Sequence, residues 1–182
     1  MYSVLPLRAA PVADSPPDER VRGLVDGHLD AVVRTLAKLG VPGGALDDAA
    51  QEVFMIATRK LSVIELGRER PYLLGIAVRV ASHARRTVKR RRESSLDDEL
   101  GVAQPGRLPD QLLDERRAYA LLEAVVAELP DGMREAFVLF EIEELAASEV
   151  AELLQIPVGT VASRVRRARE QVREGLLRAR KP

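Results

Sequence analysis

The side chains best suited to chemistry lie in one short run near the C-terminus. Ser163, Arg164, Arg166, Arg167, Arg169 and Arg173 share one side of a helical repeat, with Thr160 at its start. Guanidinium groups spaced this way can neutralise phosphates and read guanine edges bidentately. Behind them Val161, Val165, Ala168 and Val172 recur at intervals of four, three and four, a stripe that must be buried. The plain alternative is a basic helix solvated on the surface of a bundle.

Other chemistries are poorly supplied. The carboxylates of Asp47, Asp48 and Glu52 suit a hard cation, but no oxygen-rich loop follows them. His28 stands beside an apolar helical stripe and His83 on a basic helix, far apart in sequence. Neither a phosphate-cradling glycine loop nor a nucleophile elbow is found. The reading is a non-enzyme with no catalytic residue, metal site, cofactor or small-molecule substrate.

The arginine run needs an element to aim it. Val150, Leu153 and Leu154 mark a short helix just before it, and Gln155-Ile156-Pro157-Val158-Gly159 is the break. Pro157 lacks the N–H that a helix interior uses, so one helix ends before it and the next begins after it. Two helices, a tight turn and an Arg-rich front form the helix-turn-helix layout, in which the second helix enters a DNA major groove.

The remaining chain reads as helices. A stripe of Leu24, Val25, Leu29, Val32, Val33, Leu36 and Leu39 predicts a helix from Val21 to Leu39, ended by Gly40–Gly44. A second helix opens at Asp47-Asp48 and buries Val53, Phe54, Ala57 and Leu61. After a polar connection over 62–71, Tyr72, Leu73, Ile76, Ala77, Val80, Ala81 and Ala84 begin a long third helix, which turns basic at Arg79, His83, Arg85, Arg86, Lys89 and Arg90. Residues 94–113 hold Gly101, Pro105, Gly106 and Pro109 and read as a flexible linker. Beyond it a helix from Asp114 ends at Leu129-Pro130. Asp131 is placed to cap the next helix, which carries Met133, Ala136, Phe137 and Phe140 inward.

The bulk numbers fit this plan. A chain of 182 residues with 46% apolar and only 3% aromatic content builds small aliphatic cores. The absence of cysteine excludes disulfides and thiolate metal sites and fits a reducing cytoplasm. No stretch reaches membrane-span length, and prolines interrupt the N-terminus, which reads as neither signal nor span. The net charge of zero conceals blocks: basic over 79–92, acidic over 93–152, basic again from Arg164. Two separate DNA-contacting surfaces fit that pattern; so does pairing of the acidic and basic blocks within the molecule.

The stretch LPDGMREAFVLFEIEELAASEVAELLQIPVGTVASRVRRARE, Leu129–Glu170, resembles region 4 of bacterial sigma factors, and most nearly the extracytoplasmic-function (ECF) subgroup. Asp48-Ala49-Ala50-Gln51-Glu52-Val53-Phe54 is similar to that family's region 2 signature, and Tyr72-Leu73-Leu74-Gly75-Ile76-Ala77 with the Arg cluster to its promoter-melting helix. The resemblance implies an all-α protein of two small helical domains: a disordered tail over 1–18, region 2 over 19–93, the linker over 94–113 and region 4 over 114–182. It implies that Asp47, Asp48, Gln51 and Glu52 face core RNA polymerase. Tyr72, Arg79, His83, Arg85, Arg86, Lys89 and Arg90 would then contact the −10 element of promoter DNA. Thr160, Ser163, Arg164, Arg166 and Arg167 would contact the −35 element. An anti-sigma factor is a further implied partner. Where the family has Gly-Leu-Ser before the helix-turn-helix, this chain has Glu144-Leu145-Ala146, which removes a glycine turn and a serine cap and leaves Ser148 to cap a later start. Ala162 and Arg79 also depart from the pattern. Two other functions remain open to the residues: a dimeric helix-turn-helix regulator, and a protein that titrates another factor. The two domains are expected to move independently.

Overall fold

The computed structural model describes residues 17–94 and 110–179. Expectations for the tail over 1–18 and the linker over 94–113 therefore lie almost wholly outside the described residues. Among those residues there are seven α-helices and no strand: α1 (Pro17–Lys38), α2 (Leu46–Arg59), α3 (Glu69–Ser94), α4 (Asp110–Glu128), α5 (Asp131–Phe137), α6 (Ala147–Leu154) and α7 (Val158–Ala179). The all-α expectation holds.

Helices α1–α3 pack on one another through Val32, Leu36, Val53, Ala57, Leu73, Ala77 and Ala81. Gly40, at φ +86°, stops α1 where a side chain would be strained. Helices α4–α7 form a second group around Val126, Ala136, Leu139, Val150, Val161, Val165 and Ala168. Here α4 meets α7 at Gly175, where an added Cβ would stand 2.5 Å from a Val125 methyl carbon.

Several details differ from the sequence reading. Helix α4 begins four residues earlier than Asp114. Asp131 does not cap α5: Pro130 occupies the cap, and Asp131 is the first helical residue, pairing with Arg134 at 3.2 Å. Ser148 is not a cap either, since α6 starts at Ala147 with Ala146 at the cap. The Ala146 N–H donates to the Glu149 carboxylate at 3.0 Å, which holds the early start without a serine. Glu144 takes the left-handed conformation, φ +55°, that the missing glycine would adopt without strain.

The two helical groups also touch. The buried side chains of the two groups join in one continuous core, and α3 packs directly on α6. Gly75 makes this crossing possible, because a Cβ there would sit 2.7 Å from Leu153 Cδ2. Periodicity shows that each helix has an apolar face; it does not show which helix of the other group that face will meet.

Candidate nucleic-acid interface

Helices α6 and α7 form the helix-turn-helix. Gln155 ends α6 in the left-handed region, and the Ile156 N–H donates back to the Ala151 carbonyl at 3.0 Å, closing a Schellman-type turn. The Pro157 carbonyl accepts from Thr160 and Val161 N–H and so starts α7. Val161, Val165, Ala168 and Val172 are all buried, as the stripe requires.

The opposite face of α7 is open. Arg166 and Arg167 are exposed, and Thr160 and Ser163 half-buried, with the Ser163 hydroxyl donating to the Thr160 carbonyl at 2.9 Å. Arg166 is bridged to Glu170 at 3.2 Å in the open, a pair that water screens and a phosphate can displace. Arg164 is placed differently: its guanidinium lies against Gly132, where a Cβ would come within 3.0 Å of it. Arg169 donates to Glu141 at 2.8 Å and stacks 6.0 Å from the Phe140 ring centre, so it braces α7 rather than projecting freely.

The basic half of α3 is divided. His83, Arg86 and Arg90 are exposed and Arg79 half-buried. The Lys89 side chain lies outside the described residues. Arg85 is turned inward: it donates to the Leu39 carbonyl, reaches Glu135 at 3.0 Å and stands 3.3 Å from Asp131. Burial pushes the Glu135 carboxyl upward, opposed by the Arg85 guanidinium it holds. Tyr72 is buried at 7% exposure with its hydroxyl unpartnered, and burial raises the phenol further.

Asp47, Asp48, Gln51 and Glu52 are all exposed on α2. Asp47 and Gln51 border an open apolar groove of about 830 Å³ between α1 and α2, floored by Val25, Val33 and Phe54. Leu29 and Met55 line it too and are 41% and 49% exposed. Among the described residues no group of His, Asp or Glu could hold a metal ion, and no helix is long and apolar enough to cross a membrane.

Sequence reasoning missed Arg134 and Glu143. Buried Arg134 donates to the Val126, Ala127 and Leu129 carbonyls and so closes the end of α4; burial lowers its pKa. Glu143 is buried against Arg70 and Lys38. Only the alternation of basic and acidic blocks hinted at such pairing.

Comparison with known proteins decides the family. Residues 119–172 match the family model of sigma-70 region 4. SigW of Bacillus subtilis, an ECF RNA polymerase sigma factor, is 30% identical over 164 residues, which cover 84% of this chain and 87% of SigW. The chain belongs to the ECF sigma factors. The sigma-E factor of Escherichia coli is likewise 30% identical over 165 residues, covering 85% of this chain and 86% of that protein. SigE of Mycolicibacterium smegmatis is 31% identical over 154 residues, but this chain spans only 60% of its length. Two solved structures share the fold of this sigma factor. RpoE in complex with the anti-sigma factor NepR from Bartonella quintana has a TM-score of 0.65 at 22% identity, covering 85% of this chain and 95% of RpoE. CnrH in complex with the cytosolic domain of CnrY has a TM-score of 0.63 at 23% identity, covering 91% and 96%. Membership in this family supports sigma function over the dimeric regulator.

Proposed function

We propose that this ECF sigma factor docks on core RNA polymerase through α2 and carries it to promoters with two DNA surfaces. Asp47, Asp48, Gln51 and Glu52 form the polymerase contact beside the α1–α2 groove. Thr160, Ser163, Arg166 and Arg167 face the −35 element in duplex form, with Arg164 at the edge of that surface. Arg79, His83, Arg86, Lys89 and Arg90 serve the −10 element, whereas Tyr72, buried, and Arg85, held by the Leu39 carbonyl and Glu135, would reach it only if α3 were uncovered. Residues 19–93 act as the region 2 domain and 114–182 as the region 4 domain. The polymerase performs the chemistry, and the chain works in the cytoplasm with an anti-sigma factor as its regulator.

The observation that carries this reading is the recognition helix: a fully buried stripe on α7 fixes Arg166 and Arg167 outward within the segment that matches region 4. The test is co-elution with sigma-free core polymerase on gel filtration, comparing wild type with Asp48→Lys plus Gln51→Ala. Wild type should co-elute and the double variant should not. Failure of a folded wild type to co-elute would overturn the reading.

A further inference from the structure

The outer face of α7 changes character along its length. Val158, Ala162 and Arg166 stand four residues apart, so their side chains follow one line on the helix. All three are exposed, Val158 at 50%, and neither Val158 nor Ala162 joins the hydrophobic core. Gly159, beside Val158, has no heavy atom within 4 Å of the place where a Cβ would stand. The line is thus apolar and open over the first turn and becomes cationic one turn later, at Arg166. Two flanking arginines are engaged within the protein: Arg164 lies against Gly132 of α5, and Arg169 donates to Glu141. The start of α7 therefore offers an apolar edge with no long polar side chain reaching across it.

We propose that Val158 and Ala162 read thymine methyl groups in the −35 element, so that this sigma factor selects thymine by apolar contact beside the bases that Arg166 reaches. The proposal rests on the reading of α7 as the −35 helix and adds Val158 and Ala162 to its contacts. The N-terminal residues of a helix in this motif are the ones that meet base edges in the major groove. An aliphatic side chain neither donates nor accepts there. Against guanine, cytosine or adenine it would strip water from a polar edge and put nothing in its place. The thymine 5-methyl is the one apolar group that the major groove presents, and packing on it leaves no donor or acceptor newly unpaired. Val158 and Arg166 are eight residues apart, about 12 Å along the helix. That distance spans about three base steps, so the methyl contacts and the guanidinium address different base pairs.

The test uses the full chain bound to core RNA polymerase and promoter-length duplexes randomised over both elements. The recovered −35 sites should carry thymine at one or two fixed positions. Each of these is then replaced by deoxyuridine, which keeps every hydrogen-bonding group of the base and lacks only the methyl. Wild type should bind the uracil form about threefold more weakly at each position, the effect of one buried methyl group. Val158→Ser and Ala162→Ser place a polar group on the same line. Each should bind the thymine and uracil forms alike at the position it faces. Arg166→Ala should weaken both forms together and keep the threefold ratio. Recovered sites without a fixed thymine, or equal wild-type affinity for the two forms, would overturn the proposal. So would a uracil penalty that persists in both serine variants, since it would then come from the shape of the DNA and not from contact. If the polymerase-bound chain recovers no common −35 sequence, the reading of α7 as the −35 helix fails and takes this proposal with it.

Discussion

Replacing Ala146 by serine should stabilise the protein, because the site is already built as a helix cap. Ala146 has the extended backbone of a cap residue, φ −62° and ψ 147°, and its carbonyl accepts the first α6 bond, from the Val150 N–H at 3.0 Å. Its own N–H is held by Glu149, three residues on. Only the forward half of the capping box is missing: a methyl group cannot accept from the N–H groups of Ser148 and Glu149. Restoring an oxygen there is worth about 1 kcal/mol. For a chain of this size that raises the unfolding midpoint by about 2–4 °C. Calorimetry should show the rise, and urea titration should show a higher midpoint with an unchanged slope. Ala146→Val, which has no acceptor, should show no gain. A serine variant that melts at or below the wild-type temperature would refute the argument, since it would mean that water already satisfies those donors.

Three further outcomes follow from the packing and the buried charges. Gly175→Ala should destabilise by about 1–3 kcal/mol, because the new methyl meets Val125 at 2.5 Å and two helices must separate; chemical denaturation measures this. Tyr72→Phe removes a buried hydroxyl without a partner and should leave stability unchanged or raise it by about 1 kcal/mol, read by the same titration. Glu135 has a folded pKa raised chiefly by burial, so the native state binds the proton more tightly than the unfolded one. Its contribution is present below the ordinary glutamate range and is lost as pH rises through the folded value. Glu135→Gln should remove that decline from the stability–pH curve above the ordinary glutamate range.

Much of the molecule was legible from local pattern. The stripe Val161, Val165, Ala168 and Val172 reports burial because a 3.6-residue repeat places those positions on one side, and Pro157 marks the break because it has no N–H to donate. The same logic placed α1, α2 and α3 and the carboxylates that open α2. These are properties of a few neighbouring residues, so sequence by itself determined them. The fates of Arg85, Arg164 and Glu143 were decided only in three dimensions. In the chain, Arg85 is one arginine in a basic run; in the fold it is the one turned toward Leu39 and Glu135. A charged side chain carries no periodic mark of its partner, and Glu143 meets Arg70 seventy-three positions away. Docking α3 on α6 depends on the absent side chain at Gly75 and on how Leu153 fills that gap, a matter of shape between distant segments. Local sequence thus specified the helices and the faces they offer, while tertiary packing chose which arginines remain exposed.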